Sequence, residues 1–95
     1  MTFEVIDRPD RQRYELVDGD RVLGFTDYRT QPGDPPVLVF PHTVIEPAER
    51  GRGLGAQLVA GAMADVRRRG ARVHPTCWYV AAWLDEHPTE QDLLA

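Results

Sequence analysis

Glu49-Arg50-Gly51-Arg52-Gly53-Leu54-Gly55-Ala56-Gln57-Leu58 is the stretch on which the fold turns. Alternating glycines run straight into a pattern in which Leu54, Leu58, Ala62 and Val66 recur every four residues, flanked by Val59 and Met63. One apolar stripe of this kind predicts a helix from about Gly53 to Arg69. Its end is marked too. Arg67-Arg68-Arg69 places cations at the negative end of the helix, and Gly70 suits a left-handed cap.

Working outward, Val37-Leu38-Val39-Phe40 is apolar on both parities and continues through Pro41-His42-Thr43-Val44-Ile45, as expected of a strand covered on both faces. Pro41 removes one ladder hydrogen bond, which predicts a bulge or one-sided pairing. Further upstream, Tyr14 to Val17 and Arg21 to Tyr28 flank Asp18-Gly19-Asp20 and read as an antiparallel hairpin. Gln31 to Pro36 is a surface loop, dense in proline and glycine. After the helix, Ala71 to Cys77 is compatible with a strand. Trp78 to His87 reads as a second helix stopped by Pro88, and Thr89 to Ala95 as a loose final turn.

The order is therefore three strands, a loop, a helix, a strand and a helix. A strand-helix-strand unit makes a right-handed crossover between parallel strands of one sheet. The strands around Val39 and Val73 are thus expected to be parallel neighbours in an otherwise antiparallel α/β sheet. Their carboxyl ends would emerge together, beside the glycine segment, the residues after His42, and Cys77. Ligands of open α/β sheets bind at that end.

Composition narrows the function classes. Ninety-five residues suffice for one domain, 1–95, which should fold alone or as a small oligomer. A net charge of -4 gives no general attraction to nucleic acid. All 11 basic residues are arginine, so a Schiff-base or P-loop lysine is excluded. With Cys77 as the sole cysteine, neither an intramolecular disulfide nor a multi-cysteine metal site can form. The opening Met1 to Pro9 lacks the layout of a signal peptide, and no apolar run approaches a membrane span. The expectation is a cytoplasmic protein with no membrane or nucleic-acid partner.

Helix amino termini present unpaired N–H groups and a partial positive charge, so they attract phosphate. Gly51, Gly53 and Gly55 would let a diphosphate approach the backbone, and Arg50 and Arg52 would add charge. The plainer alternative is a tight turn that allows close helix packing. A P-loop fails because Gly55 is followed by Ala56-Gln57, not by lysine and a hydroxyl residue. A Rossmann site fails because no acidic residue lies between Arg72 and Cys77.

Arg50-Gly51-Arg52-Gly53-Leu54-Gly55 resembles the [QR]xxGx[GA] signature of the GNAT acetyltransferases, in the same place between a central strand and a helix. With His42-Thr43-Val44 before it and Pro75-Thr76-Cys77-Trp78-Tyr79-Val80 after it, the region from Val37 to Trp83 looks like the small stand-alone GNAT-like proteins of YjdJ type. The resemblance implies a minimal GNAT-like fold and acetyl-coenzyme A as co-substrate. It places pyrophosphate on the backbone of Arg50, Gly51, Arg52, Gly53, Leu54 and Gly55, and pantetheine along Val44 and Ile45. It also implies loss of the helices that larger members place after their first strand, and hence an exposed acceptor site for an unidentified amine.

Acetyl transfer to an amine needs a neutral nucleophile and a proton for the departing thiolate. His42, just before the loop, could take the amine proton; the alternative is a core histidine sharing the parity of Leu38, Phe40 and Val44. Cys77, at a strand end and a helix start, could protonate the leaving thiolate or accept the acetyl group; the alternative is an inert buried cysteine. The resemblance carries both across as the catalytic pair. Tyr79 could donate to an oxyanion, and Arg67 to Arg69 could meet the 3′-phosphate of coenzyme A or be a solvated helix end. Metal binding through His42, His74, Cys77 and His87 is disfavoured, because nothing in the sequence fixes their geometry.

Overall fold

The computed structural model describes residues 3–95; Met1 and Thr2, part of the opening read for a signal peptide, lie outside them. Strands β1 (Glu4–Arg8), β2 (Arg13–Asp18), β3 (Arg21–Gln31) and β4 (Val37–Ile45) precede helix α1 (Leu54–Arg68). Strand β5 (Arg72–Pro75) and helix α2 (Trp78–Asp85) follow, with short 3-10 turns at Pro9–Arg11, Pro47–Glu49 and Pro88–Leu93. The sheet runs β1-β2-β3-β4-β5. Only β4 and β5 are parallel, from Val37↔Arg72 to Phe40↔Pro75, as the crossover argument requires.

Two elements escaped the sequence reading. Strand β1 pairs with β2 along its whole length, from Glu4↔Val17 to Arg8↔Arg13, and owes its form to that partner more than to its own pattern. The turn joining it to β2 is only Pro9–Arg11, so no helix covers that connection. At the other end the expected loose turn is ordered: Leu93 is buried and Leu94 bridges Val73 on the outer side of β5.

Helix α1 lays its predicted stripe, Leu54, Leu58, Val59, Ala62, Met63 and Val66, on Tyr14, Leu16, Tyr28, Leu38 and Phe40 of the sheet. Two tyrosines fix the far end of this layer. Tyr14 donates to Asp65 at 2.6 Å and Tyr28 to Asp7 at 2.7 Å, while Arg69 reaches the Tyr14 oxygen at 3.0 Å. Burial, helped by the Asp7 hydrogen bond, pushes Tyr28 up to about 12. It therefore stays a neutral donor throughout the neutral range. Arg67 is paired in bidentate fashion with Asp92, Arg68 with Asp65, and Arg69 with Tyr14 and Asp7. At about 1.5 Å per residue the triplet stands roughly 20 Å from the glycine loop. The helix-end reading of these arginines prevails over a role in phosphate binding.

On the sheet face away from α1, Glu15 is 0% exposed and accepts from Arg8, Arg11 and Arg13 at 3.0, 3.1 and 2.8 Å. Burial opposes its charge, but the three guanidinium hydrogen bonds outweigh burial and hold its carboxyl below the usual range. Stability from this cluster is present above the unfolded carboxylate value of about 4.3 and is lost as pH falls through the lower folded value. Removing one partner of a buried ion pair costs about 3–5 kcal/mol. Because the arginines remain partly exposed and can re-solvate, Glu15→Gln is expected to cost about 2 kcal/mol. That corresponds to roughly 8–16 °C in melting temperature, with a flatter acid limb below about pH 4.3. A variant melting within about 2 °C of the parent would show that the cluster contributes little.

Candidate active site

Pro41 shapes the site. Arg29 pairs with Val39 but Asp27 with His42, so β4 carries one extra residue between the two pairs. This is the bulge expected at the residue that lacks an N–H. An inserted residue reverses the alternation beyond it. Leu38 and Phe40 point into the core, yet Thr43, not His42, continues that face, where its Oγ1 lies 2.9 Å from that of buried Thr26. His42 is exposed on the opposite face, edge-on to Phe25 with ring centroids 6.3 Å apart. The alternative of a core histidine is thereby overturned, and so is the expectation of burial on both faces beyond Phe40: Pro41 and His42 are exposed.

The bulge also redirects the backbone. The Phe40 carbonyl accepts from the N–H groups of Thr76 and Cys77 at 3.1 and 2.8 Å, and with that β5 leaves β4. Beyond it, Glu46 N–H donates to Leu23 at 2.9 Å, so alternation turns Val44 and His42 toward β3 and aims the backbone groups of Thr43 and Ile45 at the vacated edge. Arg50 Nε already uses the Ile45 carbonyl at 3.3 Å. Between the parted strands opens a cleft of about 670 Å³ lined by β4, the glycine loop and the start of α2.

At one end of the cleft lies the glycine loop. Gly51 and Gly53 have φ of 82° and 74°, conformations that residues with a Cβ rarely adopt, and Gly53 caps α1. Among the described residues, no protein acceptor meets the N–H groups from Gly51 to Ala56. Gly55 is a glycine for another reason: a Cβ there would overlap the Tyr79 ring, with Cζ at 2.8 Å. Open N–H groups and close helix packing are thus both present, with the positive φ on Gly51 and Gly53 and the close packing on Gly55. The two arginines also separate. Arg50 lines the cleft, whereas Arg52 lies outside the lining and donates at 2.5 Å to buried Glu49, which Arg21 also engages. The Arg52 side chain therefore anchors the loop and adds little free charge to the cleft.

Away from the loop are His42, Cys77 and Trp78, while Tyr79 bridges back to Gly55. Cys77 is 8% exposed and caps α2, and its Sγ lies 3.5 Å from Thr43 Oγ1. His42 and Cys77 line one cleft but share no hydrogen bond. Trp78 is 78% exposed at the mouth. His87 stacks on Trp83 and bonds its carbonyl at 2.6 Å, and among the described residues no group of three or more His, Cys, Asp or Glu is placed to hold a metal. The two threonines were not singled out from sequence; counting the Pro41 insertion through to Thr43 would have found them.

A parted parallel pair with a glycine-rich helix start at its mouth has a counterpart among known proteins. A family profile described as GCN5-related N-acetyl-transferase matches residues 13–93. The chain belongs to the GCN5-related N-acetyltransferase family. It is similar to Protein NATD1 of Bos taurus, 38% identical over 57 residues that cover 60% of this chain and 50% of the relative. Protein NATD1 of Homo sapiens is 36% identical over 57 residues, with the same shares. The matched stretch thus spans about half the length of these curated relatives. The solution structure of a GCN5-like protein from Staphylococcus aureus superposes with a TM-score of 0.67 at 17% identity, over 97% of this chain and 87% of that one. At that identity the likeness concerns the fold. A five-stranded mixed sheet with one parallel pair is the GNAT arrangement in its minimal form. No helix among the described residues is long and apolar enough to cross a membrane.

Proposed function

We propose that the protein transfers an acetyl group from acetyl-coenzyme A to an amine. The observation that carries this reading is the cleft itself, with unpaired N–H groups from Gly51 to Ala56 at one end, a vacated β4 edge along its length, and His42 and Cys77 at the other end. Diphosphate would lie against the N–H groups of the loop, with Arg50 beside it. The pantetheine amides would pair with Thr43 and Ile45 on the vacated edge, next to Val44. The thioester would then reach the end where β5 departs.

There His42, exposed to water, accepts the proton of the attacking amine, and Cys77 returns a proton to the departing sulfur. The short turn after β1 leaves that mouth uncovered, so the acceptor is an amine displayed on a large or flexible molecule as readily as a small one. The test of the binding half is melting with coenzyme A. A ligand at a hundredfold excess over Kd contributes about 2.7 kcal/mol, a shift of several degrees for a domain of this size. An unchanged melting temperature at millimolar coenzyme A would end this reading. A shift without thiol release across an amine panel would favour the second one, a module that binds coenzyme A without turnover, which the uncovered mouth supports.

A further inference from the structure

We propose that Thr43, backed by Thr26, is a positioning residue for Cys77 that holds the thiol as a proton donor at the end of a one-way hydrogen-bond chain; the role in turnover rests on the transferase reading above. Thr26 is fully buried, and its Oγ1 lies 3.4 Å from the His42 carbonyl, which can only accept. A hydroxyl has one proton. In the proposed chain the Thr26 proton goes to the His42 carbonyl, and the 2.9 Å contact between the threonines, in which either could donate, uses the proton of Thr43. The Thr43 oxygen then offers Cys77 only lone pairs, and across 3.5 Å the sulfur must supply the proton. The chain runs from Cys77 S–H to Thr43, to Thr26, to the His42 carbonyl.

The direction bears on which role Cys77 plays. A resting thiolate would face the Thr43 lone pairs unless both hydroxyls turned and the bond to His42 were given up. A thiol that lends its proton and takes it back needs that turn only briefly. In the transfer step the amine nitrogen bonds to the acetyl carbon, the carbon–sulfur bond breaks, and its electron pair stays on the coenzyme A sulfur. The Cys77 S–H turns from Thr43 to that sulfur, breaking its hydrogen bond to Thr43, and gives up its proton there. Thr26 then donates to Thr43, and Thr43 to the Cys77 thiolate. The surplus amine proton leaves through His42 to water, and Cys77 regains one from water. The arrangement exists because the Pro41 bulge brings Thr43 to this face.

Cys77 is the sole cysteine, so the infrared S–H stretching band of the protein has a single source. Measured with no acyl donor present, the band of the wild type is expected at lower frequency than that of a free thiol. Thr43→Val should move it up, and Thr43→Ser should restore it, with melting curves confirming that both variants fold. In turnover, Thr43→Val should lower kcat about tenfold or more at unchanged KM for acetyl-coenzyme A, with rescue by serine. A Thr43→Val band that coincides with that of the wild type would overturn the chain, and a moved band with unchanged kcat would overturn its role in turnover. A moved band in a protein that never releases coenzyme A would instead overturn the transferase reading while upholding the hydrogen-bond chain.

Discussion

Gly53→Asp should lose the stabilisation by coenzyme A while Gly53→Asn largely keeps it. Position 53 has φ of 74°, and a Cβ placed there meets nothing within 4 Å. Asparagine and aspartate both tolerate this backbone better than other side chains, so they share whatever strain it imposes. They differ in charge. A carboxylate about 4 Å from a phosphate, at an effective dielectric of about 20, is repelled by about 4 kcal/mol. Allowing half of that for an open, solvated cleft still leaves about thirtyfold in Kd. Calorimetry of the two variants against coenzyme A reads the difference directly. If both bind as the wild type does, the diphosphate is not on this loop. If both fail equally, the glycine is needed for its backbone alone.

The fold was legible where local pattern and tertiary fate coincide. The stripe from Leu54 to Val66, the caps at its two ends and the crossover from Val39 to Val73 are each written in spacing, and each is realised. Strand β1 was not legible, because its pairing with β2 is a tertiary fact that the residues before Pro9 do not signal. The site was legible in part. Sequence located the mouth of the cleft, since strand ends and a helix start meet there by topology. It could not separate Arg50 from Arg52, because the anchor on Glu49 brings in Arg21 from a distant hairpin strand. Nor could it choose the face of His42. That choice depends on where one extra residue enters the ladder, and a count that ignores the Pro41 insertion gives the wrong answer for every residue after it.

The chemical step makes the sharpest prediction, because two mechanisms for Cys77 differ in a product that can be weighed. If Cys77 acts as nucleophile, mixing the protein with acetyl-coenzyme A alone yields an enzyme heavier by about one acetyl group, attached at Cys77. If it acts as proton donor, no such species forms, and the acetyl group passes only when an amine is present. Direct transfer is expected. Exchange of one thioester for another gains little, a neutral amine attacks a thioester readily, and the geometry of Thr43 suits a protonated sulfur. Cys77→Ala should therefore lower kcat about a hundredfold, within the usual range for loss of a general acid, while Kd for coenzyme A stays nearly unchanged. His42→Ala should lower kcat while leaving Kd for coenzyme A nearly unchanged, because the surplus proton of the attacking amine then has no side chain to take it. Because His42 lies on the exposed face and shares no hydrogen bond with Cys77, the two substitutions should not disturb each other's folding. The deciding measurement is intact mass after mixing, followed by addition of amine. An acetyl adduct on Cys77 that amine discharges as fast as steady-state turnover would establish the covalent route and remove the proton-donor assignment.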